Sequence, residues 1–369
     1  MKNPLQDFRS KFQEQWAKLP IRAVLDEVSQ EIKKLTMRSV LVGVDAGSWS
    51  IKVVQCENQK APFVIKTCIQ KLRSEDSAEK AVKAALLQLG YKDNKAAFSL
   101  GDEKVENHEF HLPSLGKKEL ETATEWEIKK TIASPDYVFH DVLTFPGAEG
   151  FDIQCVVAAR DVVKNRYEEG KQLGLRPSFL ETESSALLAC LTAMDIGRPV
   201  NRIAVIDLGY STFRLLFIHK ERVSFTRSLY FGLATLNHMI ASQLGILPQE
   251  VQRLYEALRP DQAVDPIETS AALLERSLQE QLYTLCEEFR RSEFFVRDQK
   301  NLEEIEEVYV CGGGACLPFV VDYLRKHLSD KKLTVLNPFS KVKQMPAGIN
   351  VAEGPMWACA LGLSLRGKS

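Results

Sequence analysis

One short pattern, present twice along this chain, most limits what the chain can fold into. In residues 42–52 and in residues 204–212, an apolar run is followed by the motif Asp-x-Gly and then by residues with hydroxyl groups. Apolar runs rich in β-branched residues are typical of buried strands. A glycine after such a strand lets the turn bring backbone N–H groups close to a ligand, and turns of this kind bind phosphate oxygens. A single copy often marks only a tight turn, so the repetition is what indicates a phosphate site.

A third apolar run, in residues 308–315, ends in three consecutive glycines. Glycines at that point would let a flat ring, such as that of a nucleoside, pass close over the backbone. The three stretches, in this order, predict a nucleotide-binding protein. The candidate contacts to adenine and ribose are Gly312, Gly313, Gly314 and Ala315.

The two repeats supply the candidate phosphate and metal ligands. Asp45 and Asp207 stand at the strand ends, where they would hold Mg²⁺ through its water molecules, because Mg²⁺ prefers oxygen ligands and keeps several waters. Turn capping is the structural alternative for both. Lys52 either points at the phosphates or points outward, and its position in a strand leaves both open. The candidate phosphate donors that follow the two aspartates are Gly47, Ser48, Ser50, Gly209, Ser211 and Thr212.

Composition excludes several classes of protein. The 369 residues are 45% hydrophobic and 26% charged with a net charge of −1, so no global positive field invites nucleic acid. The eight cysteines include no Cys-x-x-Cys pair, and the histidines show no metal-ligand spacing. This pattern favours free cysteines in a reducing compartment and argues against disulfide bonds or a zinc site. No stretch has the character of a membrane span or a signal peptide.

The order of predicted elements indicates two related α/β halves. We expect a first domain over residues 39–200, with a small subdomain inserted at about 76–160, and a second domain over 201–340. Residues 341–369 would return to the first domain. The heptad-like apolar spacing of residues 1–38 predicts an amphipathic helical extension. That extension either packs on the main body or binds a partner or a membrane surface, and the sequence leaves these roles open.

With these motifs, the chain resembles the actin-like ATPase superfamily of actins, sugar kinases and heat-shock chaperones. Within it, the chain is most similar to the PilM family of the type IV pilus assembly platform. The resemblance covers about residues 39–367 and is supported by the stretches 42–52, 288–295, 337–339 and 358–366. Of these, 288–295 and 358–366 point most narrowly to this family. It implies an actin-like (ribonuclease H-like) ATPase fold, with two related α/β domains around a nucleotide cleft and a small α/β subdomain inserted in the first.

The resemblance also implies further site residues. Glu183 begins a helix similar to the connecting helix of the superfamily and would lie near the attacking water, as the candidate catalytic residue. Arg290 and Arg291 lie on the helix that faces the base, where Arg can stack on a ring; a solvent-side salt bridge is the alternative. Hydrolysis needs only a positioned water, so slow ATP turnover is compatible with the sequence, although we expect ATP binding to matter more.

A PilM-like protein would be an ATP- and Mg²⁺-binding cytoplasmic scaffold, peripheral at the inner face of the cytoplasmic membrane. It would recruit the N-terminal cytosolic tail of a PilN-like membrane protein, with pilus motor ATPases as a second class of partner. The alternatives are an actin-like ATPase enzyme, either a kinase or a chaperone-like ATPase, and an FtsA-like cell-division adaptor. A sugar pocket, a long substrate-binding domain or a C-terminal amphipathic membrane helix would favour these, and we recognise none of the three in the sequence.

Overall fold

The computed structural model describes residues 42–72, 78–88, 95–132, 138–147, 149–196, 202–219, 221–248, 250–251, 268–299, 303–344 and 349–366. The predicted extension, residues 1–38, lies outside these ranges, and its roles stay predictions.

Within these ranges the chain forms fourteen strands and eight α-helices. The strands are β1 (Val42–Ala46), β2 (Ser50–Cys56), β3 (Phe63–Leu72), β4 (Lys95–Leu100), β5 (Val105–Pro113), β6 (Val138–Pro146), β7 (Gly150–Ala159), β8 (Arg176–Thr182), β9 (Ile203–Leu208), β10 (Phe213–His219), β11 (Arg222–Leu229), β12 (Glu307–Cys311), β13 (Lys332–Val335) and β14 (Val342–Gln344). The helices are α1 (Ala78–Gln88), α2 (Lys117–Thr131), α3 (Arg160–Gln172), α4 (Glu183–Ala193), α5 (Leu233–Leu244), α6 (Glu268–Gln299), α7 (Pro318–His327) and α8 (Ala358–Ser364).

Two large sheets repeat one strand order. The first runs β3-β2-β1-β4-β8, with β14 added beside β3, and the second runs β11-β10-β9-β12-β13. In each sheet the first three strands along the chain pair antiparallel, and the next two join them in parallel. The repeated order confirms the prediction of two related α/β halves.

A continuous apolar cluster joins the two halves beneath their facing edges. Leu187 and Leu191 of α4 are buried in this cluster together with Val205 of β9, Leu216 of β10 and Trp357. Strands at the centre of such a sheet are covered on both faces, which is why β1, β9 and β10 are largely apolar runs. Because α4 packs in this shared core, its first residue is held firmly at the junction of the halves.

A separate three-stranded sheet, ordered β5-β7-β6, extends from the first half. Ile128 and Ile132, at the end of α2, cover one of its faces by packing on Cys155 and Val157. The separate sheet spans Val105–Ala159, within the insertion predicted at about 76–160. β4, which also falls in that predicted range, pairs in parallel with β1 and β8 and therefore belongs to the large sheet.

Candidate functional site

A cleft of about 430 Å³ opens where β1 and β9 end. Residues 46–50 and 209–212, which form the turns at the ends of these strands, make its facing walls, and residues 311–313, at the end of β12, close it on a third side. The predicted site residues that line the cleft are Asp45, Gly47, Ser48, Ser50, Lys52, Glu183, Asp207, Gly209, Ser211, Thr212, Gly312 and Gly313. Gly314 and Ala315 are buried outside the lining.

Each strand-end aspartate is ion-paired with a cation on the neighbouring strand. Lys52 Nζ lies 3.0 Å from Asp45 Oδ2, and Arg214 Nη1 lies 2.7 Å from Asp207 Oδ2. The strand register makes both pairs cross-strand neighbours, Asp45 opposite Lys52 and Asp207 opposite Arg214. The two loops therefore repeat one another in charge as well as in fold. Lys52 points into the cleft, which is one of the two orientations that the sequence left open.

Arg214 is the centre of a buried charge cluster that sequence reasoning missed. Its side chain is 4% exposed and lies between the carboxylates of Asp102, Glu103, Glu183 and Asp207. Its Nε lies 2.9 Å from Asp102, one terminal nitrogen lies 3.3 Å from Glu103, and the same nitrogen is paired with Glu183. The planar guanidinium offers five donors in a fixed fork, so it can serve several carboxylates at once. One arginine from the second half thus holds three carboxylates of the first half.

Ser184, at the start of α4, fixes the most buried of these carboxylates. Its backbone N–H donates to Asp102 at 3.0 Å, and its hydroxyl also donates to Asp102. The side chain of Thr182 caps the same helix by accepting a hydrogen bond from the N–H of Ser185. Carboxylates are favoured at a helix N-terminus, where N–H groups lack partners within the helix. The start of α4 therefore positions both Asp102 and Glu183.

Burial and crowding change the proton affinity of this cluster. Desolvation raises the pKa of Glu183 to about 7; Arg214 opposes the shift, whereas the charges of Asp45 and Asp207 add to it. Burial likewise raises the pKa of Asp207, again against the opposing charge of Arg214. For Arg214, burial alone would lower the pKa, but the surrounding carboxylates outweigh it and raise it.

We expect Glu183→Gln to change the stability of the protein in a pH-dependent way. Because the pKa of Glu183 is raised on folding, the native state holds its proton more tightly, and stability falls as the pH rises from the ordinary value of 4.5 to about 7. Glutamine mimics the protonated form. The stability of the variant relative to the wild type should therefore rise between pH 5 and pH 8, by roughly 2–3 kcal/mol.

Urea unfolding at both pH values measures this difference, with Glu287→Gln on the surface of α6 as the control. A stability difference between variant and wild type that is the same at pH 5 and pH 8 would contradict the raised pKa.

The two loops touch across the cleft. The Ser211 hydroxyl donates to the Ser48 hydroxyl at 2.7 Å. Beside this bond, the rings of Trp49 and Tyr210 pack with their centroids 4.7 Å apart. Trp49 therefore packs against the facing loop. Each loop contributes one hydroxyl group and one aromatic ring to this contact. A ligand that binds between the loops would have to fit beside the contact or separate it.

The shape of the loops fits a phosphate cradle. A Cβ added at Gly209 would lie 2.6 Å from the Thr212 carbonyl oxygen. Gly312 has a φ of +84°, and a Cβ there would lie 2.5 Å from Asp207 Oδ1. Neither position has room for a side chain, so backbone forms these parts of the wall. Such close-turning backbone is the kind of surface that binds phosphate oxygens.

The same residues do not make a direct metal site. Across the described ranges, no group of three or more His, Cys, Asp or Glu side chains is arranged to hold a metal ion. Asp45 and Asp207 are each paired with a cation. The arrangement fits only a cation whose ligands come largely from phosphate oxygens and water, as Mg²⁺ prefers.

Arg290 and Arg291 do not line the cleft, and their placement gives no support to the predicted stacking on adenine. Arg290 Nη2 donates to the carbonyl oxygen of His327 at 2.6 Å. Arg291 is 68% exposed and pairs with Glu288 at 2.9 Å. The physical reason is local, because each guanidinium has a nearby acceptor outside the cleft. The alternative that the sequence left open, polar contacts on the solvent side of the helix, fits these two arginines better than stacking on adenine.

Sequence signals for the missed residues do exist. Arg214 interrupts an otherwise apolar strand and follows Asp207 at the same spacing at which Lys52 follows Asp45. Asp102 comes directly after the apolar run of β4 and a glycine. A charged residue inside a buried strand has to be paired, so Arg214 could have been assigned to the site from spacing and burial together.

A family model of the type IV pilus assembly protein PilM matches residues 43–368 of this chain. The chain belongs to the PilM family. Among solved structures, a chain of the "PilM-PilN type IV pilus biogenesis complex" is 22% identical, with a TM-score of 0.74 over 90% of this chain and 99% of that chain. The ethanolamine utilization protein EutJ from Carboxydothermus hydrogenoformans is 16% identical, with a TM-score of 0.51 over 93% and 98% of the two chains.

These likenesses show that this PilM-family chain has the actin-like ATPase fold, as the motifs predicted. No curated protein sequence matches the chain at a significant level. None of its described helices combines the length and the apolar character that a membrane crossing requires.

Proposed function

We propose that this PilM-family protein is an ATP-binding cytoplasmic scaffold of the type IV pilus assembly platform. In this proposal it recruits the N-terminal cytosolic tail of a PilN-like membrane protein and lies at the inner face of the cytoplasmic membrane. The observation that carries the proposal is the family match over residues 43–368. The structural likeness to a chain from a PilM–PilN complex supports the choice of partner. Pilus motor ATPases are a second class of partner in the proposal.

The cleft supports ATP as the ligand. Both Asp-x-Gly loops face it, and their close-turning backbone suits phosphate oxygens. Lys52 and Arg214 line the cleft, each paired with the aspartate opposite it, and Gly312 and Gly313 line the wall where a nucleoside would pass. Mg²⁺ would be held by the phosphates and by water, with Asp45 and Asp207 in its outer shell.

Glu183 supports binding over rapid turnover. Its carboxylate lines the cleft, so it is placed to orient a water molecule. It is also paired with Arg214, and burial raises its pKa to about 7, so part of its population is protonated near neutral pH. The ion pair with Arg214 occupies the carboxylate, which would have to leave this pair before it could orient a water molecule. We therefore propose that hydrolysis is slow and that the bound nucleotide acts by stabilising one conformation.

Calorimetric titration with ATP in the presence of Mg²⁺ tests the assignment of the cleft. We expect Asp45→Ala and Asp207→Ala each to weaken ATP binding about tenfold or more, because each removes a group placed beside the phosphates and their cation. Asp322→Ala, on the exposed face of α7, is the matched control and should bind as the wild type does. Circular dichroism establishes that each variant is folded. An ATP affinity that is unchanged in both cleft variants would contradict the assignment of Asp45 and Asp207 to the phosphate site.

A further inference from the structure

The hairpin of β10 and β11 has one end in the cleft and the other against the three-stranded sheet. At the cleft end, Arg214 of β10 is paired with Asp207 and with carboxylates of the first half. At the far end, β11 begins with Arg222 and Val223, and both contact the three-stranded sheet. One secondary-structure unit therefore touches the candidate nucleotide site and the inserted sheet.

Arg222 lies against one row of side chains that crosses the inserted sheet. The strand register places His111 of β5 and Phe145 of β6 on either side of Asp152 of β7. Arg222 Nη1 lies 3.4 Å from Asp152 Oδ2, and its guanidinium carbon lies 4.3 Å from the centre of the Phe145 ring. His111 Nδ1 lies 3.1 Å from the other oxygen of Asp152. All three strands thus contribute to one contact site for Arg222, formed by His111, Phe145 and Asp152, which we call its seat.

A neighbouring contact fixes the backbone of the hairpin to the same face. Gln154 Nε2 donates to the carbonyl oxygen of Val223 at 3.1 Å and to Glu109 at 3.0 Å. The contacts of the seat are partly open to water, since the side chains of Arg222 and Asp152 are 22% and 47% exposed. Partly hydrated ion pairs are weak, so this contact can break and re-form without unfolding either sheet.

We propose that the β10–β11 hairpin transmits the nucleotide state of the cleft to the three-stranded sheet through the seat of Arg222. The proposal rests on the proposed nucleotide binding and adds its route of regulation. A phosphate group that enters beside Asp207 changes the charge that Arg214 balances. Arg214 lies on β10, and β10 pairs with β11 from Phe213 to His219. A displacement at the cleft is therefore carried along the hydrogen-bonded strands β10 and β11 to Arg222. The contacts of the inserted sheet then depend on whether nucleotide is bound in the cleft.

Hydrogen exchange on the full chain, with and without ATP, measures this coupling. We expect ATP to slow amide exchange in residues 205–212 and also, about fivefold, in β5 and β7. Arg222→Ala should abolish the change in β5 and β7 while the slowing in residues 205–212 and the calorimetric ATP affinity persist. Arg227→Ala is the matched control, because it removes an arginine from the same strand whose partner, Glu288, lies on α6. The control should keep the change in β5 and β7.

Two outcomes would overturn the proposal while leaving nucleotide binding intact. One is ATP protection of residues 205–212 without any change in β5 and β7 of the wild type. The other is an unchanged response of β5 and β7 in Arg222→Ala. Absence of protection in the cleft of the wild type would instead contradict nucleotide binding itself, and the hairpin proposal with it.

Discussion

Replacing Arg214 with methionine should destabilise the protein by about 3–5 kcal/mol, because removing one partner of a buried ion cluster leaves the others uncompensated. Four carboxylates surround this guanidinium, and the arginine side chain is 4% exposed. Urea unfolding at pH 8 measures the loss. The control is Arg291→Met on α6, where the side chain is 68% exposed and the expected change is within about 0.5 kcal/mol.

The double variant Arg214→Met/Glu183→Gln separates charge from packing. If the loss comes from uncompensated charge, removing one of the four carboxylates should restore part of the stability. A loss below about 1 kcal/mol in Arg214→Met would show that the carboxylates are solvated or protonated independently of the arginine. It would contradict the description of the cluster as one buried unit.

Gly312→Ala should abolish ATP binding and lower stability by about 3 kcal/mol, because the new side chain would be both strained and obstructed. The φ of Gly312 is +84°, and its Cβ would lie 2.5 Å from Asp207 Oδ1 and 2.7 Å from the Leu208 carbonyl oxygen. Relief of these overlaps has to move Asp207, which is the predicted phosphate-side carboxylate. Calorimetric titration with ATP and urea unfolding measure the two effects.

The neighbouring glycine gives a control that differs by one position. A Cβ at Gly313 would meet only the Leu233 side chain at 3.7 Å, an ordinary contact. Gly313→Ala should therefore fold as the wild type does. If Gly312→Ala binds ATP normally, the backbone after β12 does not shape the nucleotide site.

The parts of the site that could be predicted are those written into short local patterns. An apolar run followed by Asp-x-Gly and hydroxyl residues predicts both a buried strand and the turn after it. Because this pattern occurs twice, Asp45 and Asp207 could be placed together from the sequence. The repeat of the pattern also predicted two related sheets, which the structure shows with one strand order. Local pattern was sufficient here because each loop is built from consecutive residues.

Apart from the pairing of Arg214 with Asp207, the charge cluster could not be predicted, because its other members come from distant segments. Arg214 lies on β10, whereas Asp102 follows β4 and Glu183 begins α4. Only the packing of α4 between the halves brings these groups within ion-pair distance. Spacing along the chain carries no information about such an encounter, although a charged residue inside an apolar strand signals that a partner is needed.

Two expectations receive no support from the structure, and the physical reasons are visible in it. The position of Arg290 and Arg291 was taken from a resemblance of the helix, but a helix presents its residues to several sides, and these two face other acceptors. The predicted insertion includes β4, because β4 reads like any short apolar strand. Only its parallel pairing with β1 and β8 shows that it belongs to the large sheet.

The most direct test of the scaffold account is the affinity of the protein for the cytosolic tail of the PilN-like membrane protein of the same organism. A synthetic peptide of that tail would be titrated into the wild type with and without ATP, and into Gly312→Ala. We expect tight binding with ATP, binding weakened about tenfold without it, and the weaker value in Gly312→Ala whether or not ATP is present. A tail peptide that fails to bind the ATP-loaded wild type, or that binds equally in all four conditions, would contradict the account.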